Sequence, residues 1–144
     1  MNISKHRLLY TNEIISILES KKICNFITNN SNNISITPMW YVFDYNNENF
    51  TFYFININDQ KNITDFKLND NVCISVENYV LGFYIEAYQS ISAYGSIEFI
   101  DNSIDQNDIL LKFQKRYSSD LKLEKHSNLK YIKVDITSIL GRQY

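Results

Sequence analysis

Two runs rich in aromatic and β-branched residues, Ile34 to Phe43 and Phe50 to Ile57, lie on either side of the polar stretch Tyr45-Asn46-Asn47-Glu48-Asn49. That pattern predicts a β-hairpin. Within the first run Ile34, Ile36, Trp40 and Val42 share one face, and Ser35, Thr37, Met39, Tyr41 and Phe43 the other, because side chains alternate along a strand. Beyond Pro38 both faces are apolar, which suggests a barrel wall with something packed on its outside, such as a second subunit or a flat ligand. Pro38 has no N–H to give a ladder and so marks an edge or a bulge.

The same alternation extends over the rest of the chain. Ile23 to Thr28 reads as a strand that turns through Asn29 to Asn33 and pairs with the Ile34 to Phe43 strand. Phe50, Phe52 and Phe54 alternate with Thr51, Tyr53 and Ile55, and Val72, Ile74 and Val76 alternate with Cys73 and Ser75. A long strand is expected from Phe83 to Ile100, with Ile91, Ala93, Gly95, Ile97 and Phe99 on the inner face. The last strand, Leu129 to Ile139, points Ile132, Val134 and Ile136 inward, and Gly141 to Tyr144 are left as a tail.

Helical spacing replaces alternation in three places. Thr11 can cap a helix with the apolar stripe Ile14, Ile15 and Leu18, with Glu13 at its positive end and Lys21 and Lys22 at its negative end. Ser103 and Gln106 form a capping box ahead of Ile109, Leu110, Phe113 and Tyr117. Asp59 can cap a short helix carried by Ile63 and Phe66. Ser118 to Ser127 reads as a polar loop. The predicted order is α-β-β-β-α-β-β-α-β: an α+β chain with six strands in a mostly antiparallel sheet able to close into a small barrel with flanking helices.

Composition narrows the classes. With 144 residues, 44% of them hydrophobic, the chain is expected to form one domain over residues 1–144. A net charge of −2 with mixed signs leaves no basic footprint for nucleic acid and no polybasic membrane segment. Neither a signal peptide nor an apolar run of membrane-spanning length is visible, so a cytoplasmic location is expected. Cys24 and Cys73 lack the spacing of a zinc site or a redox pair and read as buried thiols. His6 and His126 read as solvated surface residues.

One position points to chemistry. Lys61 would sit in the first turn of the helix after Asp59, where a cation opposes the macrodipole by a few tenths of a kcal/mol, roughly. A bound phosphate would offset that, since free backbone N–H groups and the lysine then converge on the same oxygens. The alternative is a solvated lysine screened by Asp59. No Ser-His-Asp arrangement, HExxH pattern or Gly-rich phosphate loop is present.

Several short stretches, taken in order, resemble one family: Thr37-Pro38-Met39-Trp40-Tyr41-Val42-Phe43-Asp44, Phe52-Tyr53-Phe54, Lys61 ahead of Asn71-Val72-Cys73-Ile74-Ser75-Val76-Glu77, Tyr88-Gln89-Ser90-Ile91 with Gly95, and Ile132-Lys133-Val134-Asp135-Ile136 with Gly141-Arg142. They are similar to the pyridoxamine 5'-phosphate oxidase-like flavin-binding split-barrel family, and within it to the nitroimidazole-resistance branch. The resemblance implies a homodimeric split barrel with flavin mononucleotide (FMN) in grooves between subunits. It places Thr37, Pro38, Met39 and Trp40 along the isoalloxazine ring. Phe54, Ile55, Asn56, Lys61 and Asn62 then fall near the phosphate, and Gln89 and Ser90 reach across from the partner subunit.

The chain departs from that branch at Ile55, where a histidine is common, and at Gln60, Lys61 and Asn62, where a Gly and a basic pair are common. Losing one of two phosphate cations weakens such a site by roughly 1–3 kcal/mol, and losing the histidine removes the obvious axial ligand for haem. The resemblance implies an FMN-dependent oxidoreductase that reduces a small organic acceptor, such as a nitroaromatic. A non-catalytic module that binds flavin or another flat ligand as carrier or sensor, or a purely structural dimer, is the alternative.

Overall fold

In a computed structural model of the protein, residues 5–30, 33–57, 67, 70–118 and 129–144 are described. The elements are β1 (Arg7–Leu8), α1 (Thr11–Ser20), β2 (Ile23–Asn30), β3 (Asn33–Trp40), β4 (Val42–Asn46), β5 (Asn49–Ile57), β6 (Asn71–Leu81), β7 (Ile85–Phe99), α2 (Ser103–Tyr117) and β8 (Leu129–Gln143). Among the described residues eight strands form one sheet in the order β3-β2-β6-β7-β8-β5-β4, with β1 against β8. Each of these pairings is antiparallel. The short helix expected after Asp59, most of the loop from Ser118 to Ser127, and His126 lie outside the described residues.

Eight strands are found among the described residues where six were expected, and the main reason is a break at Tyr41. The β2–β3 ladder ends at the pair Ile23 and Trp40, and the β4–β5 ladder begins at Val42 and Tyr53. The predicted strand from Ile34 to Phe43 is therefore two strands, which sit at opposite ends of the sheet although only Tyr41 separates them. The sheet must curl until its two edges meet at that residue. Closure comes from the covalent chain and not from a ladder, which makes the barrel a split one. The remaining extra strand is the two-residue β1.

Both expected hairpins form. The β4–β5 turn is two residues long, Asn47 and Glu48, with φ of 51° and 67°. Left-handed values at both central positions give the turn a twist that matches its strands. The interior of the barrel holds Phe50, Phe52 and Phe54, Val72, Ile74 and Val76, Ile91, Ala93 and Ile97, and Ile132 and Val134. Each set occupies one alternating face of its strand, and Ile91, Ala93, Ile97, Ile132 and Val134 lie on the faces expected to point inward.

Strand β8 departs from its expected face. The pair Tyr94 and Ser138 is followed by Gly95 and Ile136, so Thr137 has no partner in the β7–β8 ladder. Its hydroxyl donates to the Tyr94 carbonyl at 3.1 Å. This bulge reverses the parity of β8: Ile132, Val134 and Ile136 face in before it, whereas Ile139, Gly141 and Gln143 pair with inward residues of β7 after it. The expected tail is thus strand to Gln143, held on its other edge by β1. At the opposite end β7 begins at Ile85, and Gly82, Phe83 and Tyr84 form the bend of the β6–β7 hairpin.

Both helix starts are shifted by one residue from expectation. Tyr10 is the N-cap of α1, and its N–H donates to Glu13 Oε1 at 3.0 Å. Asn102 is the N-cap of α2 and accepts from the Ile104 N–H at 2.8 Å, while Gln106 donates to the Ile100 carbonyl. Glu13 also receives both Arg7 Nη atoms, at 2.8 and 3.0 Å. The Arg7 hydrogen bond, followed by the Tyr10 N–H, holds the Glu13 carboxyl at about 2 against an ordinary 4.5.

Two outcomes test this description. A methyl group on Gly95 would meet the Asp135 carbonyl oxygen at 2.3 Å and a Val134 methyl at 2.7 Å. Gly95→Ala should therefore lower the urea midpoint by an amount equivalent to about 1–3 kcal/mol, and a midpoint equal to wild type would mean that the close approach of β7 and β8 is wrong. The lowered Glu13 pKa adds stability that is complete above pH 4.5 and is lost as the pH falls towards 2. The melting-temperature gap between wild type and Glu13→Gln should close over that interval, and a gap independent of pH would remove the Arg7–Glu13 assignment.

Candidate functional site

The break at Tyr41 is held from three directions. Its N–H donates to the Lys22 carbonyl at 3.3 Å, its phenol donates to the Leu18 carbonyl at 2.7 Å, and its own carbonyl accepts from the Tyr117 phenol. Tyr41 is fully buried, and burial pushes its phenol well above the usual range. Burial likewise raises Tyr117 to about 12. Both phenols are therefore fixed hydrogen-bond donors across the physiological range.

Arg116 completes the joint. Its Nη2 donates to the Leu18 carbonyl at 2.7 Å and also to that of Lys21, and its guanidinium carbon lies 4.8 Å from the Tyr41 ring centroid and 5.4 Å from that of Tyr117. A cation that caps α1 thus comes from the end of α2. A planar donor group over two aromatic faces can bond carbonyls and stack at once.

At this joint the two faces of the chain go separate ways. Met39 and Tyr41 enter the barrel core, while Trp40 and Val42 face outward into a second cluster with Ile109, Phe113 and Tyr117 of α2. The Trp40 ring meets Tyr117 edge to face at 4.8 Å. The outside covering expected beyond Pro38 is therefore supplied in part by α2 of the same chain. Trp40 keeps a half-exposed surface, with Lys22 Nζ 6.0 Å from its ring centroid.

The expected site residues fall into two groups. On β3, Thr37 is half-buried and Pro38 is exposed. On β5, Phe54 packs in the core against Phe26, Ile55 lies in the outer cluster with Trp40, and Asn56 is buried. The β3 and β5 residues thus gather on the two sides of the seam. Gln89 and Ser90 lie on β7, with β2 and β6 between them and β3 in the sheet order. The Gln89 amide is engaged at both ends, accepting from Asn78 at 2.8 Å and donating to Gln143 at 2.9 Å. Lys61 and Asn62 lie outside the described residues.

Sequence spacing gave no warning of one neighbour. Lys130 stands directly opposite Asn56 in the β5–β8 ladder, and its Nζ lies 4.1 Å from the Phe99 ring centroid. It makes no ion pair among the described residues; its backbone stands beside the end of β5 while its ammonium lies over Phe99 of β7. Only the pairing of strands far apart in the chain puts it there. Both cysteines are unsuited to nucleophilic work. Burial raises the Cys24 thiol to about 12 and raises that of Cys73 as well. Cys73 lines a groove of about 390 Å³ on the outer face of the sheet with Ile27, Ile34 and Tyr94. No helix among the described residues is long and apolar enough to cross a membrane.

No family profile and no curated protein matches the chain. Solved structures do. A protein provisionally named a 5-nitroimidazole antibiotic resistance protein, from Bacteroides thetaiotaomicron, superposes with a TM-score of 0.73 at 23% identity over 96% of this chain and 87% of that one. The FAD binding protein from Mycobacterium smegmatis superposes with a TM-score of 0.71 at 19% identity over 96% and 98% of the two chains. A provisionally named pyridoxamine 5'-phosphate oxidase from Corynebacterium glutamicum gives 0.64 at 16% identity over 96% and 93%. The chain has the split-barrel fold. These neighbours are of the kind that the sequence resemblance indicated, and in this split barrel the seam is the place where the two sheet edges converge.

The joint itself can be tested. Arg116→Ala leaves the Leu18 and Lys21 carbonyls without their charged donor and should destabilise the fold by about 2–3 kcal/mol. Arg116→Lys should recover only part of that, because an ammonium cannot stack and fork at once. Full recovery with lysine in a denaturant titration would show that charge alone matters.

Proposed function

We propose that the chain is a flavin-dependent oxidoreductase of the split-barrel type, binding FMN at a site shared between two copies and reducing a small organic acceptor such as a nitroaromatic. The observation that carries this reading is the placing of Met39 with Phe54 in the inner cluster and of Trp40 with Ile55 in the outer one, on the two sides of the seam. Solved neighbours named as FAD binding and as a pyridoxamine 5'-phosphate oxidase support it at the level of fold.

The donor set fits such a cofactor. Among the described residues β3 is a terminal strand with ladder partners on one side only, so backbone donors and acceptors remain for the edge of a heteroaromatic ring. Met39 and Phe54 stiffen the wall from inside through the core. At the other end, Asn56, Lys61 and Asn62 would hold the phosphate, and Lys130 supplies a second cation near Asn56 in place of the basic pair common in the branch. A bound flavin supplies hydride and single-electron transfer itself. The protein then has to orient the ring, keep one face open to the acceptor and limit water, which needs neither a nucleophile nor a general base.

A non-catalytic flavin carrier or sensor is the second reading. It is favoured by the Gln89 amide, whose two ends are already used within the chain and so are not poised for a reacting group.

Titration of the purified protein with FMN and with FAD, followed by absorption and fluorescence, separates these readings. FMN should bind, with Lys61→Ala and Lys130→Ala each weakening it at least several-fold. Absence of binding by either flavin sinks the proposal. Undiminished affinity in both variants removes the phosphate-end assignment. A bound flavin that NADPH or dithionite reduces but that passes no electrons to nitroaromatic or quinone acceptors leaves the carrier reading.

A further inference from the structure

A cation stands beside the one tryptophan of the chain. Lys22 joins the end of α1 to β2, and its carbonyl accepts from the Tyr41 N–H at 3.3 Å and from the Tyr117 phenol at 3.2 Å. Tyr117 also meets the Trp40 ring edge to face at 4.8 Å. The backbone of Lys22 and the indole of Trp40 are thus held by the same buried side chain. The Lys22 ammonium comes to 6.0 Å from the indole centroid, roughly the reach at which a cation is still drawn to an aromatic face. That attraction gives direction to a side chain whose root is already fixed.

The wall next to it is uncharged. The β2–β3 register sets Ile23, Asn25 and Ile27 beside Trp40, Pro38 and Ile36 on the outer face, and none of these side chains ionises. Two other cations near the joint are already engaged: Lys112 is ion-paired with Asp44 at 3.0 Å, and Arg116 donates to the Leu18 and Lys21 carbonyls. The Glu77 carboxylate, on β6 and so one strand further from Trp40 than β2, is engaged by the Tyr88 phenol. Among the described residues, Lys22 is therefore the counter-charge that this part of the wall offers to a ligand lying on it.

We infer that Lys22 tunes the cofactor: its ammonium stabilises the negative charge that a flavin ring lying along Thr37 to Trp40 takes on when it is reduced. The inference rests on the flavin site proposed above and adds a residue that acts on the redox equilibrium of the ring. A nicotinamide donor passes two electrons and one proton to the ring and leaves as the oxidised pyridinium, so the ring gains one negative charge. A cation held several ångströms away lowers the energy of that charged state and leaves the uncharged, oxidised ring nearly unaffected. Reduction becomes easier, while binding of the oxidised cofactor changes little. Lys22 is exposed, and solvent screening keeps the effect to about one order of magnitude.

The test follows the FMN-loaded protein as it is reduced anaerobically in equilibrium with a reference dye. Lys22→Gln should shift the ratio of reduced to oxidised flavin at a given potential about tenfold towards the oxidised form, which is about 30 mV for a two-electron couple. Its dissociation constant for oxidised FMN should stay within about threefold of wild type. Lys22→Arg should recover most of the shift, since a guanidinium keeps the charge, and raising the salt from about 50 to about 500 mM should narrow the gap between Lys22→Gln and wild type. Lys112→Gln removes a lysine that is already paired and should leave the ratio at the wild-type value. Lys22→Gln keeps the carbonyl that the joint at Tyr41 uses, so the variant should fold. A wild-type ratio in Lys22→Gln, or an equal shift in Lys112→Gln, overturns the inference while the flavin site stands. A wild type that takes up no FMN ends the flavin site and the inference together.

Discussion

Tyr41 is where the chain leaves one edge of the sheet and enters the other, and that crossing makes the barrel. A residue between two terminal strands has no ladder partner to satisfy its backbone on both sides, and a buried unpaired peptide group costs about 1–3 kcal/mol. Here the N–H goes to Lys22, the carbonyl receives the Tyr117 phenol and the side chain reaches Leu18. Three segments that are distant in sequence, the end of α1, the β3–β4 joint and the end of α2, are thereby tied at one point. Arg116, stacked on Tyr41 and Tyr117 and bonded to the end of α1, locks the same three together.

The seam follows from that tie. Because β3 and β4 continue through Tyr41 but sit at opposite ends of the sheet, the wall there has an edge that no strand among the described residues covers. Met39 and Phe54 anchor the two sides through the core, and Trp40 and Ile55 do so through the outer cluster under α2. A flat ligand held along such an edge would contact backbone that is rigid and still free of ladder bonds. The fold need not open to admit it.

Two local devices set the register of β8. The bulge at Thr137 lets β8 serve the core with Ile132 and Val134 in its first half and with Ile139 and Gly141 in its second. Without it Arg142 would face inward and Gln143 outward. Gly95 permits the bulge, because any side chain there would strike the Asp135 carbonyl and Val134. A single missing methyl group on β7 thus governs which face of β8 the last residues show.

Alternation of apolar and polar residues, by itself, was enough to place Phe50 to Phe54, Val72 to Val76 and Ile91 to Ile97 in one core. It also indicated both hairpins and the buried stripe of α2, since burial of one face at period two or 3.6 is a local property that each segment carries. The resemblance in short motifs pointed to the split-barrel fold. The break at Tyr41, the reversal at Thr137, the Arg116 cap on α1 and the pairing of Lys130 with Asn56 were decided only by the tertiary structure. Each depends on which strand lies next to which and at what offset. Pairing partners some fifty to one hundred residues apart leave no periodic trace in the chain, because the free energy that selects them arises only when both are packed against the same core.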